Sequence, residues 1–246
     1  MDKMKAVILA AGKGTRLRTE GKEMPKVMRL ALGRPLIGYV LDALDFIDKK
    51  DTVIVVGYLK EQVTGAFPEY AFAVQAEQLG TGHAVRSARS ELEGFSGSVV
   101  VCCGDMPLIK RETYLALCRE HLKSGNDCTM LTGTTDELLP YGRIVRDENG
   151  VFSEVVEDKD CTPEQKKIRE LNSGVYVFKA EKLLSALSSL RNQNAQGEYY
   201  LTDVPSIMRA RGDKIGVCCR DLGMEIIGVN TVEQLREVED ILTARG

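Results

Sequence analysis

The chain has 246 residues, 43% of them hydrophobic, and a formal net charge of −3. That size and apolar content suit one large core and argue against a disordered class. The charge lacks the basic excess of a general nucleic-acid or anionic-membrane binder. Seven cysteines, an odd number with no C-x-x-C spacing, and only two histidines, His83 and His121, make a poor zinc set and leave little room for a histidine-based nucleophile. The adjacent pairs Cys102-Cys103 and Cys218-Cys219 sit in apolar runs and read as small core residues in a reducing cytoplasm.

In chain order, Ala6–Ala10 is the first apolar run. It reads as a buried strand, too short for a signal-peptide core and stopped by Gly12. No segment approaches the roughly 18 apolar residues of a membrane span, so a soluble, cytoplasmic protein is expected. Strand-like runs at Ala6–Ala10, Thr52–Gly57, Ala71–Gln75 and Ser98–Cys102 alternate with helix-like stretches at Leu36–Phe46, Lys60–Phe67, Gly82–Glu91 and Arg111–Leu122. This alternation predicts right-handed crossovers and an α/β fold, a Rossmann-like, mostly parallel sheet with helices on both faces. From Tyr141 the pattern shifts to short β-like pieces, Gly142–Arg146, Glu154–Glu157 and Ser173–Phe178, with a turn at Glu148-Asn149-Gly150 and a polar helical insert near Thr162–Arg169. That reads as a small β-rich acceptor-binding region rather than an independent domain. Helices near Glu181–Leu190 and Thr202–Ala210, a strand at Lys214–Cys218 and a final helix from Thr231 follow.

Ligands of such sheets bind at the carboxyl ends of the strands, and three segments there could carry chemistry. The first is Leu9-Ala10-Ala11-Gly12-Lys13-Gly14-Thr15-Arg16-Leu17 with Pro25-Lys26 after it. Small residues at a strand end let backbone N–H groups approach a phosphate, and Arg16 and Lys26 could neutralise it. The spacing is not that of G-x-x-x-x-G-K-[ST], and Leu17 replaces the third glycine of G-x-G-x-x-G. A plain glycine turn with solvated basic residues is the alternative. The second is Cys103-Gly104-Asp105-Met106-Pro107, where Asp105 is placed either to hold Mg²⁺ or to bond its own turn. The third is Gln75-Ala76-Glu77-Gln78-Leu79-Gly80-Thr81-Gly82-His83-Ala84, in which a carboxamide could read a base edge and Thr81 could cap a helix.

These segments resemble the sugar-1-phosphate nucleotidyltransferases, and within them the uridyltransferase half of the bifunctional N-acetylglucosamine-1-phosphate uridyltransferases. The resemblance continues through Tyr141-Gly142-Arg143-Ile144-Val145, Val156-Glu157-Asp158-Lys159-Asp160, Asn172-Ser173-Gly174, the run Asn194 to Asp203, and Gly228-Val229-Asn230-Thr231, so it covers essentially the whole chain. It implies transfer of UMP from UTP to N-acetylglucosamine 1-phosphate with release of pyrophosphate. By resemblance, Asp105 and Asn230 bind Mg²⁺, and Arg16 and Lys26 are catalytic on the phosphates. Ala11, Gly12, Gln78, Gly80 and Thr81 line the uridine side, Gly142, Glu157, Asn172 and Thr81 face the sugar, and Leu9, Gly14 and Asn230 also bind substrate. The same resemblance divides a single domain, 1–246, into a nucleotide-binding part (1–140), a sugar-binding part (141–230) and a C-terminal helix (231–246).

From the residues alone, Glu157 could equally be part of a solvated charged turn, Asn172 a turn residue, and Asn230 a helix cap. Cys103 stands where the resemblance leads one to expect Tyr, which leaves one ligand contact open. The chain stops before any hexapeptide-repeat β-helix, so no acetyltransferase activity and no β-helix trimer are expected, and a monomer or weak oligomer is. Competing readings are transfer to another sugar 1-phosphate, such as glucose 1-phosphate with dTTP or UTP, and a non-catalytic nucleotide-sugar sensor. A structural partner protein docking through the charged helix Val232–Arg245 is a third.

Overall fold

Strand β1 (Met4–Leu9) is fully buried at Ala6, Val7 and Ile8, as a strand covered on both faces must be. A computed structural model describes the chain over residues 3–14, 17, 23–135 and 139–245. Strand β1 pairs in parallel with β4 (Thr52–Val56) on one side and β6 (Ser98–Cys103) on the other. Strand β5 (Ala71–Val74) extends the sheet in parallel beyond β4. Three more strands continue it past β6: β10 (Glu170–Lys179), β7 (Cys128–Thr134) and β11 (Ile215–Arg220). The order is β11-β7-β10-β6-β1-β4-β5, and β10 alone runs antiparallel to its neighbours. The expected mostly parallel α/β sheet is therefore present. Strands β8 (Arg143–Arg146) and β9 (Phe152–Val156) form an antiparallel flap joined to β10 through Arg143 and Leu171.

Successive strand residues face opposite ways, and the helices divide accordingly. Ala6, Ile8, Ile54, Val100 and Cys102 pack against α1 (Leu36–Ala43) and α5 (Arg111–Ser124). Val7, Val53, Val55, Val99 and Val101 pack against α3 (Thr81–Ser87), α6 (Ala180–Leu187) and α7 (Val204–Ala210). Helix α2 (Lys60–Ala66) links β4 to β5, and α4 (Arg89–Leu92) follows α3. A third cluster brings Val238 of α8 (Val232–Arg245) against Ala31, Leu36, Leu108 and Val229, so α8 covers the small hairpin β2 (Leu30–Ala31) and β3 (Arg34–Pro35). Among the described residues, no helix is long and apolar enough to cross a membrane.

Several expectations need correction. Strand β7 had no counterpart, because Cys-Thr-Met-Leu-Thr-Gly-Thr is neither a continuous apolar run nor a clean alternation, yet all but its last residue are buried. The helix expected over Gly82–Glu91 divides at Ala88, where the turn tightens to an i→i−3 bond from Ala88 N–H to Val85 O at 3.0 Å. The polar insert near Thr162–Arg169 is only a single 3-10 turn, Gln165–Lys167. Thr162 and Gln165 cap each other's backbone there, but the segment has no apolar face to dock and so does not propagate. Helix formation over Thr202–Ala210 begins with a 3-10 turn, Leu201–Asp203, ahead of Pro205. Cys219 is exposed rather than core, because β11 is the edge strand.

Candidate functional site

The chain leaves β1 for β4 on one side and later returns to β6 on the other, so the carboxyl ends of β1 and β6 form a topological switch point. Gly104 N–H donates to Leu9 O at 2.9 Å and ties the two strand ends together. The loop beyond β1 turns back at Gly14, whose φ is +63°. A Cβ there would stand 2.7 Å from Lys26 Cβ, so the absence of a side chain is what lets the loop close on Lys26.

Lys26 opens a one-turn 3-10 helix, and its side chain is only 16% exposed. Its ammonium lies against the Asp105 carboxylate and donates to Asn230 Oδ1 at 2.7 Å. Asp105 follows β6, and its carbonyl accepts from Val229 N–H at 2.9 Å. Gly228 N–H donates to the Tyr141 hydroxyl at 3.0 Å, and Asn230 N–H to Gln234 Oε1 at 2.8 Å. These bonds fix Asn230 beside Asp105 although the two are far apart in sequence. One carboxylate and one carboxamide oxygen thus converge on a single positive charge. Hard oxygens in that number suit Mg²⁺, which keeps much of its water and takes one or two protein ligands. Among the described residues there is no cluster of three or more His, Cys, Asp or Glu that could hold a metal.

Beside this cation lies a cleft of about 260 Å³. Leu9, Ala11, Gly12, Lys26, Gln78, Gly80, Thr81 and Asp105, all expected at the site, line it. Gln75, Cys103 and Glu198 line it as well. Gln75 was quoted in its motif but not singled out as a contact. The signal was available: strand alternation through β5 turns Val74 out and Gln75 in, and Gln75 is only 4% exposed. Arg16 lies outside the described residues. A larger cavity of about 340 Å³ near Arg34, Asp42, Lys49 and Glu69 stands away from the strand ends. Its charges pair with each other, Arg34 with Asp42 at 2.6 Å and Lys49 with Glu69 at 2.8 Å, and it lacks a glycine loop.

Gly142, Glu157 and Asn172 do not line the cleft but stand together next to it. Asn172 N–H donates to Gly142 O at 2.8 Å, at the point where β10 bulges between Asn172 and Val175. The Asn172 amide is held by the buried Tyr176, to whose hydroxyl it donates at 2.7 Å. Glu157 Oε1 accepts from the Thr202 hydroxyl at 2.9 Å. Burial pushes the Glu157 carboxyl above its ordinary range, with the Thr202 bond opposing. Thr81 Oγ1 accepts from Leu201 N–H at 3.0 Å, so Leu201-Thr202 bridges the cleft to Glu157. Cys103 sits between the two halves: it lines the cleft, and a Cβ on Gly174 would come 3.9 Å from its sulfur. Burial first, and the Asp105 charge second, push its thiol well up and favour the protonated form.

A mostly parallel sheet with a glycine loop and a carboxylate side by side at its switch point is the frame of a nucleotide-handling α/β enzyme. Comparison with known proteins agrees. The family model described as nucleotidyl transferase matches residues 5–222, and the chain belongs to that family. It is 44% identical over 242 residues to the bifunctional protein GlmU of Clostridium novyi (strain NT), covering 98% of this chain and 52% of that protein. The bifunctional protein GlmU of Pelotomaculum thermopropionicum is 43% identical over 241 residues, again 98% of this chain and 52% of the relative. The one from Streptomyces griseus is 45% identical over 246 residues, 97% and 50%. The chain therefore spans about half the length of the curated relatives it matches.

Proposed function

We propose that the chain transfers UMP from UTP to N-acetylglucosamine 1-phosphate, giving UDP-N-acetylglucosamine and pyrophosphate. The observation that carries this reading is the Lys26 ammonium, held by Asp105 and Asn230 at the mouth of a cleft walled by the glycine loop. In this reading Leu9, Ala11, Gly12, Gln78, Gly80 and Thr81 face the nucleotide, Gly14 lets Lys26 approach, and Gly142, Glu157 and Asn172 face the sugar. Residues 1–140 then serve the nucleotide, 141–230 the acceptor, and the segment beyond supports both. Seven free cysteines suit a reducing cytoplasm as its place of work.

An acceptor phosphate oxygen attacks the α-phosphorus of UTP, and the bond to the bridging oxygen of pyrophosphate breaks. The acceptor is already ionised at neutral pH, so no general base is required. What the protein must do is bring two anions into line and stabilise the charge that builds on the phosphoryl oxygens. Lys26 supplies a positive charge from its 3-10 turn, and Arg16 is positioned in sequence to supply a second. Mg²⁺, which Asp105 and Asn230 would hold, neutralises triphosphate charge when bound. Glu157, steadied by Thr202, offers an acceptor to sugar hydroxyls.

The test is pyrophosphate release from UTP with Mg²⁺ on adding N-acetylglucosamine 1-phosphate, glucosamine 1-phosphate or glucose 1-phosphate separately. Release with the first alone is expected. Release chiefly with glucose 1-phosphate would move the substrate and keep the mechanism, whereas UTP binding without release from any acceptor would identify a sensor. Asp105→Asn should lower turnover by about 1,000-fold while the fold is kept, and near-normal turnover would remove Asp105 from the mechanism.

A further inference from the structure

The Gln75 carboxamide has two partners. Its Nε2 lies 3.0 Å from Gly80 O and 3.1 Å from His83 Nδ1. An amide nitrogen carries two hydrogens, and these two acceptors use both. The Gly80 oxygen can only accept, so it fixes which end of the amide faces it, since a flipped amide would set two oxygens against each other. His83 Nδ1 must then be the unprotonated ring nitrogen, with the ring hydrogen on Nε2. What Gln75 offers beyond these bonds is Oε1, an acceptor that no hydrogen bond among the described residues engages. The residue itself lines the cleft. His83 is steadied in turn: it lies on α3, and its ring is 6.4 Å from that of Tyr199.

We propose that His83 is a positioning residue that locks Gln75 as a hydrogen-bond acceptor toward the cleft, and so selects a base with an imide N–H, uracil or thymine, over cytosine. This rests on the reading of the cleft as the nucleotide side. The N3–H of uracil meets Oε1 as donor to acceptor. Cytosine N3 carries a lone pair at the same place, and two acceptors repel. Turning the amide to suit cytosine would break the bonds to both Gly80 and His83, so the preference is set by the neighbours of Gln75 as much as by Gln75 itself.

The experiment is calorimetric binding of UTP and of CTP, each with Mg²⁺, to the wild type and to His83→Leu, His83→Gln and His83→Asn, with thermal melts to show that each is folded. Asparagine sets an amide oxygen close to the Nδ1 position, glutamine carries it outward, and leucine has none. The wild type should prefer UTP. His83→Leu and His83→Gln should lose about tenfold or more of that preference, and His83→Asn should keep it to within about threefold. Equal wild-type affinity for the two nucleotides overturns the role, and so does an unchanged preference in the leucine and glutamine variants. Loss of preference in the asparagine variant to the same degree also overturns it. A wild type that binds UTP selectively yet releases no pyrophosphate leaves the role of His83 standing and overturns the proposed reaction.

Discussion

At Gly14 two constraints fall on one residue: a positive φ of +63° and a Lys26 Cβ only 2.7 Å from where its own Cβ would be. Gly14→Ala should therefore cost about 1–2 kcal/mol of stability. It should also shift Lys26 away from Asp105 and lower turnover on the order of 100-fold, since small misplacements at a reacting centre are expensive. A melt paired with kcat checks both, and a variant with unchanged kcat would show that the loop does not set the position of Lys26. The loop itself was legible from sequence, because two glycines directly after an apolar strand mark a turn. The bonds that aim Gln75 were not legible, since Gly80 O and His83 Nδ1 are brought to it by the turn between β5 and α3.

Among the elements, β10 decides the most. It is antiparallel between β6 and β7, joins the flap β8–β9 to the main sheet, and carries Asn172 at its bulge. Phe178, fully buried, stacks on Tyr176 with ring centroids 5.4 Å apart. Phe178→Ala should cost about 3–5 kcal/mol by leaving a cavity in the core face that packs on α3, α6 and α7. Chemical denaturation would measure it, and a loss under 1 kcal/mol would mean that this strand is not the keystone of the sheet. Most of β10 was anticipated as Ser173–Phe178. Its neighbour β7 was not, because its burial comes from β10 and β11 on either side rather than from its own polar-rich sequence.

For the molecule as a whole, His121 is one route by which pH should act on stability. It is 2% exposed, its Nδ1 is 3.0 Å from Thr129 Oγ1, and its pKa is lowered to about 4 by burial first and by the charge of Lys179 second. The folded state therefore resists protonation. The contribution is fully present above the ordinary histidine value of about 6.5 and is lost as pH falls through about 4, on the order of 3 kcal/mol in all. The Asp203 carboxyl, raised to about 6 by burial, acts in the opposite sense over the same range. The decline should therefore appear as the difference between wild type and His121→Gln in urea unfolding from pH 7 to pH 4, and the same pH dependence in both would remove His121 from it.

The sequence by itself determined the alternation of β1, β4, β5 and β6 with their helices, the glycine loop at the end of β1 and Asp105 at the end of β6. Those features are local: they depend on apolar period, small residues and turn chemistry within a few positions. Only the tertiary structure decided that β10 enters the middle of the sheet. It alone placed Asn230 and Asp105 on one lysine, and joined Thr81 to Glu157 through Leu201-Thr202. These are meetings of residues distant in the chain, made when the two faces of the sheet bury their helices and the strand ends are drawn together.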